Sequence, residues 1–347
     1  MGVARMDKEF HYYLTYLTAA RAGFSYNDAL TIAQACQAVD DNHTSYEINP
    51  GGPDTYQNFI SQTMNPLKPE ADKMRIYPVF HFIPGDSNSP SAKRSDGAIH
   101  PLNTTPDSEL ANRSFGEAAK TNNLMELGIA CHAYADTWAH QNFIGFWHEF
   151  NGFKGLLNDI IPNIGHADAK HAPDWPAHIW TDTRLTGEQK TVNNKIRFLN
   201  AAKRLYEKLC GFLKKDPNDL EYKSMLSDFS DAIGPAKEKS NNKGKKARIN
   251  QYCLLATRSE YKGKEIPNFD FDDWWEDTIR KEIKIKNMGE ADEYYNVWRH
   301  PKNYSISKWF HFQEAVKSYQ RRTLKIYNET VYSQLNPDLL ARILKFS

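Results

Sequence analysis

The densest group of potential metal ligands in this chain lies in the segment His132-Ala-Tyr-Ala-Asp136-Thr-Trp-Ala-His140. An α-helix advances about 100° per residue, so residues spaced four apart share one of its faces. Residues 124–146 are mostly apolar or small and contain no proline, which predicts a buried helix. Buried imidazoles and carboxylates are costly unless they have partners. The spacing therefore favours a metal site, and the alternative is a hydrogen-bonded polar cluster within a helical bundle.

A second group of ligand types follows in a short stretch that is rich in turn-forming residues. Gly165 precedes this stretch and Pro173 lies near its end, which predicts irregular backbone. Its candidate ligands are His166, Asp168, His171 and Asp174. Loops that are this dense in ligand types are usually functional, and the alternative is a solvated turn whose aspartates cap a helix.

Two further candidates lie upstream of these segments. Asp7 and His11 are four residues apart in a predicted amphipathic helix at about 5–22, so both side chains leave the same face. His81 lies in an apolar run between Pro78 and Pro84. A histidine in such a run, taken alone, is more typical of a core residue with satisfied hydrogen bonds.

Two carboxylates end the second predicted helix, which covers residues 26–41 with Ser25 as its N-cap. Asp40 and Asp41 lie at the C-terminus of this helix, where a negative charge opposes the helix dipole. A bound divalent cation would compensate both charges. Asp40 is therefore a candidate ligand, and either aspartate is a candidate catalytic carboxylate.

The composition limits the class of protein. A chain of 347 residues can bury a large core as one elaborated domain or as two. A formal net charge of +1 gives no overall field for nucleic acid or an anionic membrane. The 4 cysteines are scattered and predict no disulfide framework. We identify no apolar run typical of a signal peptide or a membrane span, which predicts a cytoplasmic chain as synthesised, exported by a signal-independent route if it acts outside the cell.

The overall pattern predicts an all-α fold, a multi-helix bundle with sparse strand signals. Helices are expected at about 5–22, 26–41, 108–120, 122–149, 152–160, 187–215, 218–233, 250–258, 271–286, 306–331 and 336–345. The stretch between residue 41 and Ser108 is rich in Pro, Gly, Asn and Ser and contains His81. A loop of that length is usually functional or disordered, so we expect it to line the site.

Three regions of different character follow from this pattern. Residues 1–235 are predicted to form a metal-binding helical core. Residues 236–250 contain the run Lys237–Arg248, which predicts a basic, flexible surface loop. Residues 251–347 are rich in aromatic side chains and are expected to form a helical extension packed on the core. The alternative for these aromatic side chains is contact with a lipid surface.

These residues, in this order, resemble a known superfamily. The series His11, Asp40, His81-Phe-Ile, His132-x3-Asp136 and His140-Gln, followed by a later His, is similar to the all-helical zinc-dependent phospholipases C and single-strand-preferring nucleases. The resemblance covers about residues 6–180, and the middle motif, His132-x3-Asp136 followed by His140, is its most specific part. The run from Gly165 to Asp174 also resembles an uncharacterised bacterial and fungal branch of this superfamily.

The resemblance implies a centre of two or three zinc ions that hydrolyses phosphodiesters. The residues matching the ligands of the first zinc are Asp40, His81, His132 and Asp136. Asp136 would bridge to a second zinc held by His11, since one carboxylate has two oxygens to share, and His140 with His166 would hold the third. The ions would acidify a water and stabilise the transition state, while Asp40 or Asp41 orients that water or takes its proton.

The chain also departs from the superfamily pattern. Members use a mature N-terminal Trp to bind one zinc, and this sequence has none, so Asp7 is expected to replace it. The spacing between Asp136 and His140 is shorter than in the family, and Lys170 occupies the position of an expected acidic residue. The last metal subsite is therefore expected to draw on some of His166, Asp168, His171 and Asp174, and the alternative is that it is missing.

Three functions compete on this evidence. The first is a phospholipase C-like enzyme acting on phospholipid or another phosphate ester, an effector or toxin candidate that contacts membranes peripherally. The second is a nuclease or nucleotide phosphodiesterase with the same centre, in which aromatic side chains stack on bases. The third is a non-catalytic helical protein whose metals stabilise the fold. Structural zinc sites are usually closed and rich in cysteine, which favours the first two.

Overall fold

The chain is described by a computed structural model that covers residues 8–63, 68, 70–146, 148–153, 165–166, 169, 171–238, 244–286, 295–299, 304–335 and 337. Over these residues the fold is mainly helical. The helices are a π-helix Glu9–Leu14, α1 Thr15–Ala22, α2 Tyr26–Asp41, α3 Glu70–Phe80, α4 Glu109–Ala119, α5 Leu124–Ala139, α6 Asn194–Phe212, α7 Asp219–Ile233, α8 Lys245–Ala256, α9 Phe271–Glu276 and α10 Lys308–Asn328. The strands are β1 Tyr46–Ile48, β2 Tyr56–Gln57, β3 Ile179–Thr181, β4 Thr191–Asn193, β5 Ile279–Lys286 and β6 Tyr295–Arg299.

Helix α5 is central in the bundle and packs against α2, α4, α6 and α10. Its N-cap Asn123 accepts hydrogen bonds from the backbone N–H groups of Met125 and Glu126, which satisfies the start of the helix. Gly128 lets α5 approach α2 closely, because a methyl group at this position would lie 2.5 Å from the carbonyl oxygen of Ile32. This close contact lies one helical turn before His132 and so sets the distance between that histidine and α2.

The π-helix and α1 form one continuous helical segment, with His11 in its wider turn. The N–H of Thr15 donates to the carbonyl of Phe10, five residues back, which is the hydrogen bond of a π-helix. The buried Glu9 in this segment pairs with Arg248 of α8, with an Nη2–Oε1 distance of 2.7 Å, and also accepts from Tyr252. Helix α8 therefore anchors the π-helix against the core.

Two small sheets accompany the helices. The first has the order β2-β1-β6-β5, in which β1 and β6 are parallel and the other pairs are antiparallel. The second is the antiparallel pair β3 and β4. The prediction of a helical architecture is confirmed at this coarse level, but strands contribute more than the sequence indicated.

Several predicted element bounds are wrong. The helix predicted at 271–286 ends at Glu276 and is followed by β5, because residues 282–286 alternate charged residues with isoleucine at a strand period. The helix predicted at 122–149 ends at residue 139. The region predicted as one helix at 187–215 begins with a short 3-10 helix, Gly187–Lys190, followed by β4 and then α6.

Two predicted loops also contain regular structure. The long stretch before Ser108 includes β1, β2 and α3, and Pro78 lies inside α3 near its C-terminus. Residues 245–248 of the basic run, predicted as a flexible loop, are helical, because Arg248 is held by a buried carboxylate. Most residues of the helices predicted at 152–160 and 336–345 lie outside the described residues. The division into 1–235, 236–250 and 251–347 stays a prediction.

Candidate metal centre

The three ligand candidates of α5 converge, as their spacing predicts. His132 and Asp136 lie within the helix and His140 is its C-cap, and all three are completely buried. The Asp136 Oδ2 atom lies 3.3 Å from His132 Nε2 and 3.5 Å from His140 Nδ1. The α5 face is therefore a single polar surface inside an apolar core.

A first group of ligands forms where α2 and the end of α3 meet this face. His81 Nδ1 lies 3.1 Å from His132 Nε2 and 3.1 Å from Asp136 Oδ2. Asp40 Oδ1 lies 3.9 Å from His132 Nε2 and 4.0 Å from His81 Nδ1. Four ligands bound at 2.0–2.1 Å to a tetrahedral ion lie about 3.3 Å from one another. The buried Asp40, His81 and His132 can thus hold a metal ion. Asp136 Oδ2 lies close to the ligand nitrogens of both histidines.

The histidines of this group have defined roles for their two ring nitrogens. His81 Nε2 donates to the carbonyl of Ser61 at 2.9 Å, and His132 Nδ1 donates to that of Cys36 at 2.8 Å. The other nitrogen of each ring therefore carries a lone pair, and these two lone pairs face each other. Histidines that ligate metals typically donate their second N–H to a carbonyl in this way.

His11 meets the opposite oxygen of the same carboxylate. Its Nε2 atom lies 3.2 Å from Asp136 Oδ1, while its ring stacks on His132 with centroids 3.8 Å apart. Cys36 Sγ lies 3.6 Å from His11 Nδ1. Asp136 therefore faces His11 with one oxygen and His81 with the other, which is the arrangement a bridging carboxylate requires.

A second group of ligands contains His140, His166 and Asp174, all buried. His140 Nδ1 lies 2.7 Å from the carbonyl oxygen of His81 and donates to it, and no hydrogen-bond partner of His140 Nε2 is found among the described residues. His166 Nε2 lies 3.5 Å from Asp174 Oδ1. Ligand atoms of His140, His166 and Asp174 lie within 4.8 Å of one another, so this group can hold a metal ion as well.

Gly165 positions this second group against the first. Its backbone is left-handed, with φ of 52°, and a methyl group there would lie 2.5 Å from the Phe82 ring. The Phe82 ring stacks on His140, with centroids 4.4 Å apart. Only glycine allows His166 to follow so close to this stack.

The protonation states of the core groups suit metal binding. Burial lowers the pKa of His11 and His81 and lowers that of His132 to about 4. Burial alone would raise the pKa of Asp136, but its contacts with His140, His132 and His11 hold that pKa well below the usual range. At neutral pH the lowered pKa values leave His11, His81 and His132 as neutral imidazoles, the form that ligates metals.

The remaining predicted site residues are not among the buried ligands of the two groups. Asp41 accepts a hydrogen bond from Gln37 at 3.1 Å and lines a small cleft with Tyr46 and Trp275, on another side of α2 from Asp40. The His171 side chain is 58% exposed and its Nδ1 lies 3.3 Å from Asp174 Oδ2, at the outer edge of the second group. Asp7 and Asp168 lie outside the described residues.

Two residues of the centre carried weak sequence signals. Asp174 was one of several candidates in its stretch, and burial raises its pKa to about 6, an effect that the hydrogen bond with His171 partly offsets. Cys36 reads as an ordinary buried thiol, and its helix spacing of four from Asp40 was the only signal available.

The comparisons with known proteins define a family. The chain matches the Family of unknown function (DUF6765) over residues 6–327, and it belongs to that family. The matched range contains every candidate metal ligand described above. No curated protein and no solved structure matches the chain. Among the described helices, none combines the length and apolar composition that crossing a membrane requires.

Proposed function

We propose that this protein is a metal-dependent phosphodiester hydrolase, phospholipase C-like, with zinc as its metal. The observation that carries the proposal is the position of Asp136, whose two oxygens face different histidines within one buried cluster. A carboxylate shared in this way is suited to two neighbouring ions. The resemblance to zinc-dependent phospholipases C and nucleases, which rests on the order of the same residues, supports the same reaction.

The donor set supports zinc. Imidazole nitrogens and carboxylate oxygens predominate, and this combination suits zinc, although ligand type alone also admits other first-row divalent ions. The described groups offer more donors than one tetrahedral ion uses, with His140, His166 and Asp174 forming a separate group. A structural zinc site is usually a single closed set of four ligands. The size of this cluster therefore supports a hydrolytic centre over a structural metal.

The chain's own residues prepare the chemistry in three ways. Backbone carbonyls orient the rings of His81, His132 and His140, so the ligand nitrogens need no rearrangement. Burial removes the ligands from bulk water, which strengthens their electrostatic interactions. The exposed His171 marks the edge at which the cluster reaches the surface, so we expect substrate to approach there. Divalent ions held in the cluster would supply Lewis-acid stabilisation of charge on a phosphoryl oxygen and would acidify water.

The test is metal content together with hydrolysis. Protein purified without a metal-affinity step is analysed by elemental mass spectrometry, and we expect two or three zinc equivalents per chain. Asp136→Asn, which keeps the side-chain shape, is expected to lose most of this metal. Asp107→Asn, at an ion pair with Arg204, is the control and is expected to keep it.

Hydrolysis is then measured on p-nitrophenyl phosphorylcholine, phospholipid vesicles and single-stranded DNA. Turnover of the choline ester and vesicles, lost in Asp136→Asn, supports the phospholipase C-like function, while preference for DNA supports a nuclease. Bound metal without hydrolysis of any of these substrates would indicate a structural centre. No bound metal in the wild-type protein would overturn the proposal.

A further inference from the structure

Cys36 contacts two histidines of the centre through two different atoms. Its carbonyl oxygen accepts the Nδ1–H of His132, and its Sγ atom lies 3.6 Å from His11 Nδ1. Cys36 and Asp40 are spaced four apart on α2 and lie on the same face of that helix. This turn of α2 thus contacts His132 through its backbone and His11 through a side chain.

The hydrogen-bond directions around Cys36 follow from donor counts. The Thr15 hydroxyl has one proton, which it donates to the carbonyl of Phe10 at 3.0 Å. The contact of 3.7 Å between Thr15 Oγ1 and Cys36 Sγ is therefore donated by the thiol. The thiol has no second proton, so its contact with His11 is accepted by sulfur from Nδ1–H.

These hydrogen bonds form a relay from His11 through Cys36 and Thr15 to the Phe10 carbonyl. With its proton on Nδ1, His11 carries its lone pair on Nε2. That atom faces Asp136 Oδ1 at 3.2 Å, but the two groups are not aligned as a hydrogen bond. A lone pair opposite a carboxylate oxygen is unfavourable unless a cation lies nearby. The same tautomer is the one that His11 needs to ligate a metal that Asp136 shares.

The geometry also argues against Cys36 as a third ligand with His11 and His132. These two rings are stacked, with an interplanar angle of 20°. The lone pair of an imidazole lies in the plane of its ring. The lone pairs of these two rings therefore lie in separate, nearly parallel planes and do not converge on one ion. The His132 Nδ1 atom, on the side of Cys36, is already donating to a carbonyl.

We propose that Cys36 is a positioning residue whose thiol, in the relay from His11 through Thr15 to the Phe10 carbonyl, holds His11 in the Nδ1–H tautomer and makes Nε2 its metal ligand. This inference rests on the proposed metal centre and adds to it a sulfur-based support for one ligand. It predicts that the thiol matters for metal affinity without binding the metal.

The test compares Cys36→Ala, Cys36→Ser and Cys210→Ala. Cys210 is buried in α6, so its truncation is a matched loss of one sulfur from the core. Zinc affinity is measured by competition with a chromophoric chelator. We expect Cys36→Ala to weaken the ion at His11 about 10- to 100-fold, the usual effect of removing the group that orients a ligand. Cys36→Ser, which keeps a donor and an acceptor, is expected to recover part of this loss, and Cys210→Ala to keep wild-type affinity.

Two spectroscopic measurements separate the outcomes. Long-range ¹⁵N–¹H NMR on the metal-free protein reads the His11 tautomer directly, and a protonated Nε2 in the wild type would overturn the inference even if no metal binds. In cobalt-substituted protein, a strong near-ultraviolet sulfur-to-cobalt band lost in Cys36→Ala would show that Cys36 is a ligand and would also overturn it. Wild-type metal affinity in Cys36→Ala would overturn the inference and leave the proposed function intact, whereas a wild type without metal would remove the proposed function.

Discussion

Single residues of the centre gain their chemistry from backbone atoms of other elements. His81, His132 and His140 each donate one N–H to a carbonyl, from Ser61, Cys36 and His81 respectively. Such bonds fix the ring orientation and the tautomer before any metal arrives. A ligand set prepared in this way loses little entropy when it binds an ion.

His140 allows the two ligand groups to be tested separately. Because it belongs to the second group, with His166 and Asp174, we expect His140→Ala to lose one metal equivalent and to keep the metal at the first group. Elemental analysis of the purified variant measures this directly. His171→Ala, at the exposed edge, is the comparison and is expected to retain its metal. Loss of all metal from His140→Ala would show that the groups are not independent.

The metal-free protein is expected to lose stability in acid. In the folded chain burial lowers the pKa of His132 from 6.5 to about 4, so between these pH values the unfolded chain binds more protons. The free energy of unfolding therefore falls as the pH drops from about 6.5 to about 4, by on the order of 3 kcal/mol at about 1.4 kcal/mol per pKa unit.

Urea denaturation of metal-free protein at a series of pH values measures this effect. His132→Asn is expected to flatten the pH dependence, whereas His311→Asn, at an exposed position, keeps it. An unchanged pH dependence in His132→Asn would show that this histidine is not the source.

The contact between α2 and α5 is the element-level feature on which the first ligand group depends. Gly128 permits it, and His132 follows one turn later with its bond to the Cys36 carbonyl. Helix propensity alone would favour alanine over glycine inside a helix by about 1 kcal/mol. Close packing at this position reverses that preference, because the nearest atom is a backbone carbonyl oxygen of α2, which cannot move aside as a flexible side chain would.

Gly128→Ala is therefore expected to destabilise the protein by about 1–3 kcal/mol, the usual cost of overpacking. It should also weaken metal binding, since separation of the helices lengthens the bond that orients His132. Gly116→Ala in α4 is the matched control, because a methyl group there meets nothing within 4 Å, and a neutral or stabilising effect is expected. Chemical denaturation compares the two variants, and equal stability would contradict the close-approach argument.

The candidate ligands belong to distant parts of the chain. They come from the π-helix, α2, the end of α3, α5 and the stretch after Gly165, and they span His11 to Asp174. Bound ions would cross-link these segments in the native state only. An ion that binds only the native state stabilises it by about 4 kcal/mol when its free concentration is about a thousand times its dissociation constant.

Chelation is accordingly expected to lower the thermal unfolding midpoint of the wild-type protein by several degrees, and zinc is expected to restore it. Differential scanning calorimetry with and without a chelator measures the shift. Asp136→Asn supplies the control, because a variant without the shared carboxylate should respond little. A wild-type midpoint that the chelator leaves unchanged would show that metals do not stabilise this fold.

Local pattern determined much of the helical framework and pointed to most of the candidate ligands. Helix periodicity and caps predicted α2, α4 and α7 closely, since these depend on neighbours within a turn or two. The i, i+4, i+8 spacing on α5 placed His132, Asp136 and His140 on one face for the same reason. Residue order also suggested that Asp40, His81 and His11 belong with them.

Only the tertiary structure decided how those residues meet. The pairing of β1 with β6 joins residues almost 250 positions apart, which no local pattern encodes. The choice of Asp174 within its stretch, the outward position of Asp41 and the contact of Cys36 with His11 each depend on packing between elements. Ligand type and helical face follow from local covalent geometry, whereas distances, tautomers and burial arise when distant segments exclude water together.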